Sequence, residues 1–137
     1  RTSLIVGFPG ETEADFNELL EFVKAGYIHK IGAFSYSDEI DTASYKLPNK
    51  ISAEILEDRI NKIMLAQQKV SLNHNKQKIN TTVDVIIDRE NEGRLMEDAP
   101  EIDNLVLINN LSDEDIGKII QVQIKEVDEY DLIGEKL

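Results

Sequence analysis

The chain has 137 residues, 41% of them hydrophobic, which is enough for one ordinary domain or two small ones with a real core, and a formal net charge of −12 at pH 7. It contains no cysteine, which excludes disulfides, zinc-thiolate sites and iron–sulfur clusters held by its own side chains. Its longest apolar runs, Leu4-Ile5-Val6 and Leu105 to Ile108, are far too short to cross a bilayer and no signal segment opens it, so the expectation is a soluble, cytoplasmic protein.

The sequence starts Arg1-Thr2-Ser3, without an initiator methionine, and enters a strand pattern at Leu4; it reads as the later part of a longer chain. Leu4-Ile5-Val6 has the continuous apolar character of a strand buried on both faces, and Gly7-Phe8-Pro9-Gly10 breaks it. Thr12, with Asp15 three residues on, predicts a capped helix whose apolar stripe is Phe16, Leu19, Leu20 and Val23, ending at Gly26. The Ile, Phe and Tyr content from Ile28 to Tyr36 predicts a second buried strand, completing a βαβ unit. Ser37 to Ile51 is polar and turn-rich, a long loop at the carboxyl end of that strand, where sites are commonly built. Ser52 then caps a helix expected to run to about Lys78, with Leu56, Ile60, Ile63 and Val70 on one face. His29 and His74 are too far apart for a helix-spaced ligand pair, and neither is assigned to a metal.

Beyond Ile79 the apolar period changes to two. Val83, Val85 and Ile87 form one alternating run and Ile120, Val122 and Ile124 another, with shorter candidates at Arg94 to Met96, Leu105 to Asn109 and Tyr130 to Ile133. Five short strands with no helix signal predict a small closed barrel, since closure removes exposed edges.

Charge divides at the same boundary. Residues 1–78 carry 10 Lys and Arg against 11 Asp and Glu, whereas residues 79–137 carry 5 against 16. So acidic a barrel repels a phosphate backbone, which argues against direct nucleic-acid binding by that surface; its acids either keep the barrel soluble or face a basic protein partner. Two clusters sharpen the second reading. Glu97, Asp98, Glu101 and Asp103 surround Pro100, and Glu126, Asp128, Glu129 and Asp131 surround Tyr130; carboxylates take guanidinium groups in paired hydrogen bonds, and a tyrosine ring adds a cation–π face. Ile102, between two of these acids, is expected in the barrel core.

The stretch LIVGFPGET, from Leu4 to Thr12, closely resembles the late-strand segment of the radical S-adenosylmethionine methylthiotransferases. The match continues, in the family's order and spacing, through FSYSDEIDTAS (Phe34 to Ser44), Gln67-Gln68, DAPEID (Asp98 to Asp103) and EYDLIGE (Glu129 to Glu135), and so covers essentially the whole chain. The last two motifs look like the branch that methylthiolates an aspartate of the small-subunit ribosomal protein S-twelve, more than the tRNA-modifying branch, in which the last domain binds RNA. The chain departs from the family at Asp41-Thr42-Ala43-Ser44, where Gly-Thr-Pro-Ala is usual, and at Asn104, where glycine is common; Asn104 is expected to take the turn at positive φ.

The resemblance implies an α/β fragment, residues 1–51, from the C-terminal part of a radical S-adenosylmethionine TIM-type barrel, then a long connecting helix, 52–78, and an acidic TRAM domain, 79–137, an OB-like barrel of five antiparallel strands. The complete enzyme would use S-adenosylmethionine and two [4Fe–4S] clusters whose cysteine ligands are absent here. No catalytic residue and no metal ligand are therefore assigned to this chain, and alone it is expected to be inactive. Gly7, Phe8, Pro9, Gly10 and Glu11 are the expected cofactor contacts, at the carboxyl end of a barrel strand. Asp98, Glu101, Asp103, Asp128, Glu129, Tyr130 and Asp131 are the expected contacts to the basic ribosomal protein.

Overall fold

The computed structural model describes all residues, 1–137. They divide into two compact units, Arg1–Val70 and Ser71–Leu137. The division falls inside a helix, and each unit has its own core.

In the first unit, strand β1 (Thr2–Val6) and strand β2 (Ile31–Ser35) pair in parallel with Thr2 opposite Ile31 and Val6 opposite Ser35, joined through helix α1 (Glu13–Lys24). The predicted cap is present: the Thr12 hydroxyl accepts the Asp15 N–H, while the Asp15 carboxylate accepts the Thr12 hydroxyl at 2.7 Å and the Thr12 N–H at 2.8 Å, and these last two bonds hold the Asp15 carboxyl below its ordinary value. Gly26, at φ +73°, ends the helix by donating to the Val23 carbonyl. Phe16, Val23, Val6, Ile31 and, from helix α2 (Ala53–Lys76), Ile63 and Ala66 make the core. At 24 residues α2 is about 36 Å long, ending two residues short of the predicted Lys78.

One expectation fails here. β1 is covered on one face only: Val6 is fully buried, but Ile5 is 64% exposed and its register partner Phe34 is 59% exposed. Side chains alternate across a strand, so α1 and α2 bury one set and leave the other open.

The second unit is a closed barrel of strands β3 (Thr82–Arg89), β4 (Glu92–Leu95), β5 (Val106–Asn109), β6 (Ile119–Val127) and β7 (Leu132–Lys136), in the order β3-β4-β5-β7-β6. The alternating residues Val85, Ile87, Val122 and Ile124 fill it, joined by Leu95, Val106, Ile108 and Leu132. Two features differ from expectation. The barrel is mixed, because β5 and β7 run parallel, with Val106 opposite Leu132; an excursion through β6 lets the chain return in the same direction. The β5–β6 connection also holds a single 3₁₀ turn, Asp113–Asp115, whose capping signal is too short to show helical periodicity. Met96 and Tyr130 lie outside β4 and β7, and Met96 is fully exposed. Register shifts at Ile87/Arg89 and Ile124/Glu126 supply the bends closure requires. No helix is long and apolar enough to cross a membrane.

Closure depends on backbone approach at Gly93, where an added Cβ would lie 2.5 Å from the Ile86 carbonyl oxygen and 2.6 Å from Val85. Gly93→Ala should therefore lower the stability of the barrel by about 1–3 kcal/mol, read from urea midpoints. A second prediction concerns acid. The 3₁₀ turn is tied to β7 by Lys136, whose ammonium donates to both oxygens of Asp115 at 2.7 Å; with the Ser112 N–H this brings the Asp115 carboxyl down to about 2. A depressed folded-state value means that the contribution is fully present above the ordinary carboxyl value and is lost as pH falls toward about 2. The stability advantage of the native chain over Asp115→Asn should be constant near neutrality and shrink between about pH 4 and pH 2 in denaturant titrations.

Candidate functional site

The carboxyl ends of β1 and β2 carry the first candidate site. Leaving β1, the backbone enters a turn with Gly7 at φ +86° and Gly10 at φ +91°, a region L side chains rarely adopt. Gly7 meets a further constraint, since an added Cβ would sit 1.8 Å from the Leu56 side chain of α2. Three backbone donors of the turn are taken up within the chain: Gly7 donates to the Glu11 carboxylate at 2.8 Å, Glu11 to the Phe8 carbonyl at 2.9 Å, and Gly10 to the Asn49 carbonyl at 3.0 Å. What the turn presents outward is aromatic. The half-exposed Phe8 ring packs edge-on to Tyr36 with centroids 5.4 Å apart, and the Tyr36 hydroxyl reaches Asp38 at 3.3 Å. Asp38 also accepts from Lys50, whose ammonium lies over the Tyr45 ring.

Glu11 thus has a different place from the one expected of a ligand contact. One oxygen receives Gly7 and the other receives Arg59 Nη1 at 2.5 Å, and its side chain is 14% exposed. Arg59, on α2 and buried, also donates to Glu13 at 3.1 Å and stacks over Phe16 with its guanidinium carbon 5.1 Å from the ring centroid. Sequence reasoning passed over Arg59. Its signal was a charged residue on the helix's apolar side, one turn from Ile63 and next to Ile60. Gln67, noted as part of a motif, is buried and donates its amide to the His29 carbonyl before β2.

The second candidate site is the set of acidic loops of the barrel, where the structure divides seven expected contacts into two kinds. Four are held by the backbone: Asp98 is buried and accepts the Leu95 N–H at 3.2 Å, Asp103 accepts Ala99 at 2.7 Å, Asp128 accepts Tyr130 and Asp131 at 2.8 and 2.6 Å, and Asp131 accepts Leu105 at 2.9 Å. Short acceptor side chains satisfy turn N–H groups in this way. Glu101, Glu129 and Tyr130 face solvent, with Tyr130 42% exposed. The turn below them is pinned from α2 by Asn75, whose buried amide donates to the carbonyls of Asp128 and Tyr130, both at 3.2 Å. Two expectations about this loop are corrected. Ile102 is 70% exposed, not in the core, and the positive φ lies at Glu101 (+61°), not at Asn104, which is buried. Asp98 and Asp103 cross-link the loop in a way that turns Ile102 outward.

The TRAM domain family matches residues 79–136. That match spans every strand of the barrel. Along its whole length the chain is 42% identical to the ribosomal protein uS12 methylthiotransferase RimO of Clostridioides difficile over 142 residues, which cover all of this chain and 32% of that protein. It is 48% identical over 138 residues to the protein of the same name from Clostridium acetobutylicum and 39% identical over 141 to that of Salmonella paratyphi A, covering 31% and 32% of them. The chain therefore spans about a third of the length of these relatives.

The residues present do not fit an iron–sulfur cluster: there is no cysteine, and no group of three or more His, Asp or Glu side chains converges as metal ligands. The Gly7–Glu11 turn is suited to a different contact, with the half-exposed Phe8 ring on offer.

Arg59→Met should test the anchor. It leaves the largely buried Glu11 carboxylate with the Gly7 N–H as its remaining strong partner and should cost the first unit about 2–4 kcal/mol in chemical denaturation. The barrel's own resonances should stay unchanged.

Proposed function

We propose that this chain is the C-terminal part of a radical S-adenosylmethionine methylthiotransferase that adds a methylthio group to the β-carbon of an aspartate in a basic small-subunit ribosomal protein. The observation that supports this most is similarity over the whole chain to enzymes named for that reaction. In this reading the parallel β1–α1–β2 unit belongs to the catalytic TIM-type barrel, where ligands gather at carboxyl strand ends. Gly7, Phe8, Pro9, Gly10 and Glu11 form one wall of the S-adenosylmethionine pocket: Phe8 touches the cofactor, and Glu11 acts through Gly7 to keep the turn's shape. The cofactor's own chemistry and both clusters belong to the rest of the enzyme, so the chain alone is inactive.

The TRAM barrel, at 16 acidic against 5 basic residues over 79–137, docks the basic substrate protein. A polyanionic tRNA suits this surface poorly, which weighs against the tRNA-modifying alternative. Because Asp98, Asp103, Asp128 and Asp131 hold their loops, the contacts to substrate fall chiefly on Glu101, Glu129 and Tyr130.

The chain should bind the ribosomal protein with an affinity that falls steeply between about 50 and 500 mM salt in titration calorimetry, and it should bind tRNA more weakly. Binding that ignores salt, or that prefers tRNA, overturns the docking role. In the complete enzyme, Glu101→Lys with Glu129→Lys should raise the KM for the ribosomal protein while leaving reductive cleavage of S-adenosylmethionine intact.

A further inference from the structure

A cleft of about 270 Å³ opens in the TRAM barrel between the β3–β4 hairpin and the loop that carries the acidic motif. Its floor and rim differ in how far their charges are compensated. On the hairpin side each cation already faces a carboxylate, Arg94 with Asp88 at 3.2 Å and Arg89 with Glu92 at 3.1 Å. On the loop side Glu101 is exposed and its carboxylate meets no cation or donor. The cleft therefore keeps one uncompensated negative charge.

Asn104 supplies a second and independent observation. It lines the same cleft, is 8% exposed, and its side-chain amide makes no hydrogen bond within the chain. The residue is buried, but its amide atoms are not among those sealed from solvent without a partner, so they open into the cleft and are left for its occupant. Between these two polar groups the cleft wall is the Pro100 ring and Leu105, apolar surface on which a methylene stem can lie.

We propose that this cleft seats one arginine side chain of the basic protein that the TRAM barrel docks, with Glu101 as its counter-ion and the side-chain carbonyl of Asn104 as its second acceptor. The proposal rests on the docking reading above and makes it specific. Arginine suits the cleft better than lysine because its planar guanidinium carries several fixed donors and can satisfy a carboxylate and an amide carbonyl at once. An anion is the poorer occupant, since Asp88 and Glu92 already neutralise Arg94 and Arg89 and the Glu101 carboxylate would repel it. Asp98 and Asp103 act beneath as positioning residues, bonding Leu95 and Ala99 so that the loop presents Glu101 outward.

The test uses the full 137-residue chain, isotope-labelled, titrated with acetylated and amidated Gly-Arg-Gly, with its lysine twin and with inorganic phosphate. The arginine peptide should shift the Asn104 side-chain amide and the Glu101 backbone signals saturably, and the lysine peptide should bind several-fold more weakly. Glu101→Gln, a substitution at an exposed position, should weaken the arginine peptide by about tenfold. Asn104→Asp should strengthen it if the fold survives, as the unchanged remaining spectrum would show. No saturable shift, equal binding of the two peptides untouched by Glu101→Gln, or phosphate moving the same signals instead would each overturn the assignment. If the chain binds the ribosomal protein in a salt-sensitive way that Glu101→Gln does not alter, the cleft fails and the docking role stands. If it binds the arginine peptide but not the ribosomal protein, the docking role fails and takes the partner named here with it.

Discussion

The Glu11 carboxylate, shared between the Gly7 N–H and the Arg59 guanidinium, is the contact on which the first unit depends. It joins three things that no local propensity would bring together: a turn at positive φ, the N-terminus of α1 and the second turn of α2. Gly7 can follow β1 into that turn because it lacks a Cβ, and Leu56 fills the space a side chain would have taken. Arg59 stacks on Phe16 and also reaches Glu13, so the same guanidinium fixes the start of α1 and its first core residue. With the N–H groups of Gly7, Gly10 and Glu11 occupied in this way, what the turn presents outward is the Phe8 ring, packed edge-on to Tyr36.

The barrel solves a different problem, that of closing five short strands without an open edge. It does so by pairing β5 with β7 in parallel and β3 with β6 antiparallel, and by bending β3 and β6 at register shifts. The loops that make these connections are short, and their N–H groups need acceptors. Aspartates provide them at four of the positions that a charge count alone would assign to partner binding. Acidity in this unit therefore has two physical meanings. Aspartates with one methylene fold back on the backbone, while the longer Glu101 and Glu129 remain in solvent.

Asp115 and Glu97 show a third use, in ion pairs that brace the barrel from outside its core. Burial alone would raise the Glu97 carboxyl, but hydrogen bonds from Lys78 at 2.9 Å and from His74 at 3.2 Å outweigh it and hold it below the ordinary range. Asp115, with Lys136, does the same at the end of β7. These basic residues leave little positive charge free on the unit, consistent with a surface that attracts cations.

Several features were legible in the chain before any coordinates. The capping box at Thr12 and Asp15, the stripe from Phe16 to Val23 and the switch to period two after Ile79 are local patterns, and local patterns follow from 3.6-residue and two-residue geometry. The cysteine-free, acid-rich composition likewise constrained chemistry without reference to any fold. What needed tertiary structure were pairings between residues distant in sequence: Arg59 with Glu11, Asn75 with the Asp128–Tyr130 carbonyls, and β5 with β7. The exposure of Ile5, Phe34 and Ile102 was also hidden, because hydrophobicity states what a residue prefers and only packing decides which faces are covered. The sequence by itself determined the α-helices and strands, their order and the sign of each unit's charge. The structure decided which acids hold the backbone and which face solvent, since that depends on where each loop's unpaired N–H groups lie in space.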